Sequence, residues 1–314
     1  MKYNYYPGCS LERNARAYHE STTAVAAGLG IEFAEIDDWN CCGATEYMAI
    51  EALPAYALIA RNLALAADQN GNGRQLIAPC SACFLNLSKT NRYMADSAKL
   101  AGQVNTALAA GGLYYRPDSV IVRHLLDIFV NDVGYDTLRE KVTRPLYGLR
   151  AAPYYGCLIV RPAYDSEFDD PEQPTTLDHL LRALGADVVD FSLKTACCGG
   201  HMTQISETVA LGLIRRLLKN AVDAQADVIV ALCPMCQLNL DAYQEQVNQH
   251  FAADYHIPVL YFTQLIGLAM GIPQEQLGFG REFVDAAPAL GKIQAEPRKE
   301  KKRKRPSTQA LPMP

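Results

Sequence analysis

Ten cysteines, laid out in one pattern used twice, are the residues of this 314-residue chain whose types and spacing could do chemistry. Cys9, the adjacent pair Cys41 and Cys42, and Cys80 with Cys83 make the pattern C-x31-C-C-x37-C-x2-C. Cys157, the pair Cys197 and Cys198, and Cys233 with Cys236 make C-x39-C-C-x34-C-x2-C, so every cysteine is used, five to each half. Structural zinc takes four ligands in a tetrahedron; the C-x2-C pairs would serve as half of such a site, but five thiols are one too many. Cubane iron–sulfur clusters also use four cysteines, often from C-x2-C-x2-C runs, and no such run occurs here. Five thiolates with an adjacent pair suit a larger or distorted iron–sulfur core in which one sulfur bridges. Disulfides are the weaker reading where thiols are kept reduced. Core cysteines have no cause to repeat C-C and C-x2-C in register.

Other residues sit against these positions. Gly8, Gly43, Gly156, Gly199 and Gly200 adjoin cysteines, where they let backbone approach a cluster and give N–H donors to its sulfurs; turn formation alone also explains them. His201 follows the second Cys-Cys-Gly-Gly directly, where Ala44 is its nearest counterpart in the first half. It is a candidate proton donor to a product thiolate, against the equally good reading of an ordinary surface or core histidine. Tyr5, Tyr6, Tyr154 and Tyr155 read as strand packing.

The elements needed to bring the cysteines together are legible in order. Lys2 to Tyr6 reads as a strand that hands over Cys9. Leu11, Ala15, Tyr18, Thr22, Val25 and Leu29 step by threes and fours, one face of a helix stopped near Gly28 and Gly30. Ile31 to Ile36 is a strand leading to the first pair, Pro54 to Asp68 a helix ending at Asn70 to Gly73, and Gln75 to Ala78 a strand aimed at Cys80 and Cys83. A long helix over Asn86 to Ala110 and a strand over Ser119 to Arg123 follow. The second half repeats the order, with strands at Asp187 to Phe191 and Pro258 to Phe262 and a helix over Thr203 to Ala224. The stretch Ile229 to Leu240 matches Leu76 to Leu87 as an internal repeat. Strand, helix, strand predicts an α/β fold: two repeats related by a pseudo-twofold axis, each a small parallel sheet flanked by helices. Loops at the carboxyl ends of such strands share one edge, where the five thiols of each half would converge. The division is 1–130 for the first domain, 131–150 for a linker, 151–280 for the second domain and 281–314 for an extension.

Composition bounds the rest. A chain that is 49% hydrophobic and 20% charged has sizeable cores. Its apolar stretches are too interrupted to cross a membrane. The N-terminus lacks the features of a signal peptide, which points to the cytoplasm. A net charge of −5 predicts no nucleic-acid binding by the folded body. Pro297 to Arg305 is almost wholly Lys, Arg and Glu and reads as a disordered, solvated tail, with an electrostatic tether to an acidic partner as the functional alternative.

At Tyr6-Pro7-Gly8-Cys9, Asp38 to Gly43, Pro79 to Cys83, Ala152 to Cys157, Leu193 to Gly200, Cys233 to Tyr243 and Pro258 to Gly267 the chain resembles the double cysteine-rich Cys-Cys-Gly (CCG) domain family, and within it the catalytic B subunits of heterodisulfide reductases. The resemblance covers roughly residues 1 to 280. It implies that Cys9, Cys41, Cys42, Cys80 and Cys83 ligate one noncubane [4Fe-4S] cluster and Cys157, Cys197, Cys198, Cys233 and Cys236 another, with a disulfide held between them. Cys42, Cys198 and His201 would then be the catalytic residues. The partners implied are a ferredoxin-like C subunit and, beyond it, a flavoprotein A subunit. The same resemblance admits a sulfur-oxidising variant acting on thiols or persulfides, and an electron-relay subunit of a succinate-, lactate- or glycolate-oxidising complex. A zinc-stabilised assembly protein is the least favoured alternative.

Overall fold

Two four-stranded parallel sheets carry the chain in this computed structural model, which describes residues 1–44, 46–69, 74–162 and 168–296. The expected helix stop at Asn70 to Gly73 and the basic stretch from Pro297 lie outside the described residues. The first sheet holds β1 (Lys2–Tyr5), β2 (Glu32–Glu35), β3 (Gln75–Ala78) and β4 (Ile121–His124) in the order β2-β1-β3-β4. The second holds β5 (Arg150–Tyr154), β6 (Asp187–Val188), β7 (Val228–Ala231) and β8 (Val259–Tyr261) in the matching order β6-β5-β7-β8. Every pairing is parallel; Tyr5, for example, lies between Glu35 and Ile77, and Ala151 between Val188 and Val228. β7 reads Val-Ile-Val-Ala and is buried along its whole length, the pattern of a parallel strand covered by helices on both faces.

In each sheet the connections leave the first strand toward one neighbour and then toward the other. The crevice at the carboxyl ends of β1 and β3, and of β5 and β7, is therefore a switch point of the winding, where open α/β sheets place their sites. Cys9 and Cys80 follow the first two of those strands; Cys157 and Cys233 follow the second two.

Several helices are shorter than the apolar periodicity predicts. The stretch Asn86 to Ala110 is two helices, Ser81–Asp96 and Ala98–Ala109, because Ser97 takes an extended backbone and caps the second with its hydroxyl, which accepts from Leu100 N–H at 3.2 Å. The stretch Thr203 to Ala224 is likewise a single turn, Met202–Ile205, and a long helix, Glu207–Asp223, parted at the extended Ser206. The first half has the same break: Tyr47–Ile50 and Ala52–Asp68 are parted at the extended Glu51. Residues 131–141 of the crossing between halves are helical, in Ile128–Gly134 and Tyr135–Lys141, because Ile128, Phe129, Val130 and Val133 bury their side chains there.

The halves exchange helices. The helix Arg16–Gly28 of the first packs on Phe262–Ala269 of the second: the Tyr18 and Tyr261 rings stack with centroids 4.3 Å apart, and the Ser21 and Thr263 hydroxyls bond at 2.6 Å. In return Tyr135, in the helical crossing that continues the first half, donates its hydroxyl to Thr176 O at 3.1 Å at the start of the helix Thr176–Ala183. Both apolar cores consequently draw side chains from both halves. Among the described residues no helix is long and apolar enough to cross a membrane.

Candidate metal centre

Cys9, Cys80, Cys157 and Cys233 follow strand ends, the two Cys-Cys pairs lie in the loops beyond β2 and β6, and Cys83 and Cys236 sit in the first turns of the helices that follow. β1 runs through Tyr6 and Pro7 to Gly8, whose φ of +75° turns the chain so that Cys9 opens a single helical turn. Cys80 caps the helix Ser81–Asp96, and Cys233 caps Pro234–Ala242, in which proline takes an opening position that needs no N–H donor. At Cys233 the N–H groups of Met235 and Cys236 in the first turn help to lower the thiol, whereas the Cys80 thiol is raised.

All ten thiols are free. Cys9, Cys41 and Cys197 are exposed, Cys157 is half-buried and the other six are buried. The Sγ atoms of Cys9 and Cys41 lie 3.5 Å apart and those of Cys42 and Cys83 3.4 Å apart. Neighbouring thiols also perturb one another: Cys42 lowers Cys41, Cys42 and Cys80 raise Cys83, and in the second set Cys197 raises Cys157 while Cys198 and Cys233 raise Cys236. The two sets approach each other at Cys80 and Cys233: the carbonyls immediately before them, Pro79 O and Leu232 O, lie 3.1 and 3.3 Å from one hydroxyl, that of Tyr18. Among the described residues, no group of three or more His, Cys, Asp or Glu side chains is arranged to hold a single metal ion; the sulfurs meet in pairs.

In each set the first thiol of the adjacent pair is lowered; the equivalent Cys80 and Cys233 differ, Cys80 being raised and Cys233 lowered. Hydrogen bonds from the Cys42 and Cys9 thiols hold Cys41 far below the ordinary thiol range; in return their bonds to Cys41 push up Cys9, and Cys42 to about 11. Cys157 lowers Cys197 to about 6 and is itself raised by that bond. Backbone N–H groups add to this: Gly43 donates to Cys41 Sγ at 3.4 Å and Gly199 to Cys197 Sγ at 3.3 Å. Gly8 and Gly156 do something different. A Cβ on Gly8 would stand 3.0 Å from Cys83 Sγ, and one on Gly156 3.0 Å from Cys236 Sγ, so each glycine cradles a sulfur. Gly200 has φ +53°, with nothing within 4 Å of an added Cβ, and its carbonyl accepts from Asn239 Nδ2 at 2.7 Å.

His201 turns toward the first half. Its Nδ1 lies 2.6 Å from Glu46 Oε1, a contact that joins the segment after one Cys-Cys pair to the segment after the other.

Four side chains that the sequence reading left as packing, or passed over, hold the pairs in place. The hydroxyls of Tyr6 and Tyr154 donate at 2.7 Å each to Asn40 O and Ala196 O, the carbonyls immediately before the two pairs. Asn86 Nδ2 and Asn239 Nδ2 donate at 3.2 Å each to Cys42 O and Cys198 O, and also to Ala44 O and Gly200 O. Both asparagines stand three residues after the second cysteine of a C-x2-C, and that repetition in register was the available signal.

Behind Cys80 the buried His124 accepts from Leu126 N–H on Nδ1 at 3.1 Å, which puts its proton on Nε2, 3.5 Å from Ser81 Oγ. Burial lowers the imidazole to about 4 from 6.5. The folded value lies below the unfolded one, so the stability this neutral ring contributes is present above pH 6.5 and is lost as pH falls toward 4. Relative to His124→Gln, the unsubstituted protein should lose about 2 kcal/mol between pH 7.5 and pH 5. Urea denaturation of both at each pH measures it; a flat difference would show the ring to be solvated.

The cysteine-rich CCG domain matches residues 3–88 and again residues 151–241. Over 285 residues the chain is 35% identical to the 8-methylmenaquinol:fumarate reductase membrane anchor subunit of Wolinella succinogenes, spanning 91% of this chain and 98% of that one. Over 295 residues it is 30% identical to the B subunit of the ferredoxin:CoB-CoM heterodisulfide reductase of Methanosarcina mazei, spanning 93% and 97%. A crystal structure of a hypothetical protein from Helicobacter pylori shares the fold, with a TM-score of 0.71 and 16% identity over 90% of this chain; the chain spans 52% of that longer one.

Proposed function

Because this chain belongs to the cysteine-rich CCG domain family, with a domain in each half, we propose that it is the catalytic iron–sulfur subunit of a heterodisulfide-reductase-like complex, an oxidoreductase acting on a sulfur group. The observation that carries the reading is the pair of five-thiol sets, brought side by side where the carbonyls before Cys80 and Cys233 share the Tyr18 hydroxyl. The residues fit iron and sulfide: ten unpaired thiols, one low-pKa thiol in each pair, and a glycine against one sulfur of each set. Cys9, Cys41, Cys42, Cys80 and Cys83 would hold one noncubane [4Fe-4S] cluster and Cys157, Cys197, Cys198, Cys233 and Cys236 the other. When bound, each cluster supplies electrons singly, so two facing ones match the two that an S–S bond takes up on becoming two thiols.

The chain's own groups supply geometry and a proton. Tyr6, Tyr154, Asn86 and Asn239 fix the backbone on both sides of each pair, so the inner thiols of Cys42 and Cys198 keep their aim. Glu46 takes the Nδ1–H of His201, which leaves Nε2 to carry a proton to a product thiolate or, in the reverse direction, to remove one from a thiol. The partners are a ferredoxin-like C subunit and a flavoprotein A subunit, in keeping with relatives that are themselves named as subunits.

Anaerobic purification should yield about eight irons per chain if each set holds four, and the chain recombined with its partners should reduce a disulfide. Stoichiometric zinc with little iron overturns the reading. A second reading, an electron-relay subunit, is favoured by the relative that serves a fumarate reductase. It predicts full iron content and electron exchange with partners, with no disulfide turned over.

A further inference from the structure

One side chain touches the backbone of both cysteine sets. Tyr18, fully buried in the helix Arg16–Gly28, points its hydroxyl at Pro79 O at 3.1 Å and at Leu232 O at 3.3 Å. These are equivalent carbonyls of the two halves, each immediately before a cysteine that caps a helix, Cys80 and Cys233. The ring is fixed independently by its parallel stack on Tyr261, 4.3 Å between centroids and 3° between planes, and by the edge of Phe262 at 6.1 Å. The buried His124 lies beside the same segment, its Nε2 3.5 Å from Ser81 Oγ, the residue after Cys80. Buried carbonyls require hydrogen-bond donors, and a hydroxyl shared between two chain segments fixes their separation.

We propose that Tyr18 is a positioning residue for both centres: its hydroxyl holds the Pro79–Cys80 and Leu232–Cys233 peptides side by side and so makes Cys80 and Cys233 the contact through which the two centres exchange electrons. The proposal rests on the iron–sulfur reading. The step moves one electron, oxidising one centre as it reduces the other, and no atom changes place. Its consequence is that the two centres behave as one two-electron unit, with reduction of one felt by the other. The Tyr18 ring belongs to the first half and its stacking partner to the second, so the contact forms only when the exchanged helices are docked.

The test compares the full-length protein with Tyr18→Phe, which keeps the stacked ring and removes only the hydroxyl. Tyr135→Phe, which removes a hydroxyl bond between the halves away from the cysteines, is the control. Two quantities are read. One is the magnetic interaction between the reduced centres, by electron paramagnetic resonance at rising microwave power. The other is the yield of a Cys80–Cys233 bridge with dibromobimane in the metal-free chain, by peptide mapping. Tyr18→Phe should keep its full iron content and the signal of each separate centre. Losing one buried hydrogen bond should lower the bridge yield about fivefold and weaken the interaction. Tyr135→Phe should leave both unchanged. If Tyr18→Phe matches the unsubstituted protein in both readouts, or Tyr135→Phe falls equally, Tyr18 has no positioning role. If the unsubstituted protein binds no iron, the iron–sulfur reading falls and the electron route with it, whereas iron with no magnetic interaction sinks the route alone.

Discussion

Cys42→Ala and, separately, Cys198→Ala should each take disulfide turnover by the reconstituted complex to background while the other cluster survives. Both thiols are buried, at 5% and 4% exposure, and each is the inner member of its pair: Cys42 Sγ lies 3.4 Å from Cys83 Sγ, and Cys198 Sγ 3.7 Å from Asn239 Nδ2. Removing a buried sulfur leaves a void about the size of a methyl group, costing about 1 kcal/mol, so the fold should persist and the loss would be chemical. An electron relay behaves otherwise. Damage off its path would leave activity, and damage on its path would slow all donors equally without altering substrate binding. The measurement is turnover beside the spectrum of the remaining cluster. Near-normal reduction by either variant after loss of its cluster would dispose of the two-cluster mechanism.

The second large effect is expected at two glycines. At Gly8 and Gly156 an added methyl would press on Cys83 Sγ or Cys236 Sγ from 3.0 Å, and the positive φ at each, +75° and +68°, resists any side chain. Gly8→Ala and Gly156→Ala should therefore each displace one ligand sulfur and drop iron from about eight to about four per chain. Gly30→Ala separates the two causes, because Gly30 has the same φ of +68° with nothing within 4 Å of an added Cβ. It should cost roughly 1–2 kcal/mol in stability with iron unchanged. Equal iron loss in all three would mean that backbone strain alone governs the sites. Full iron in Gly8→Ala would show that Cys83 has room to retreat.

The cysteine repeat told most of what the sequence could tell, because its types and spacing are local and doubled. Parallel strands followed by cysteines placed both sets at one edge, and the sheet orders β2-β1-β3-β4 and β6-β5-β7-β8 are that reading drawn out. The roles of Tyr6 and Tyr154 were hidden because an aromatic residue in a strand looks the same whether its hydroxyl is idle or holds the carbonyl before a cysteine pair. Tyr18 was legible only as one apolar step of a helix, since both of its acceptors and its stacking partner come from segments far away in sequence. Periodicity also overran the helix breaks at Ser97 and Ser206, where a single extended residue interrupts stretches whose apolar pattern continues on both sides.

The exchange of helices between halves sets a timetable for making this protein. Ser21 and Thr263, bonded at 2.6 Å, are 242 residues apart in the chain. At a synthesis rate of 5–20 residues per second, about 10 to 50 s separate their emergence from the ribosome. Throughout that interval the helix Arg16–Gly28 exists without the surface that covers it, and Cys80 without Cys233 beside it. On the iron–sulfur reading, a chain stalled before Phe262 should hold its first five thiols without the helix that covers Arg16–Gly28, and iron should enter both sets only after that helix has emerged and docked.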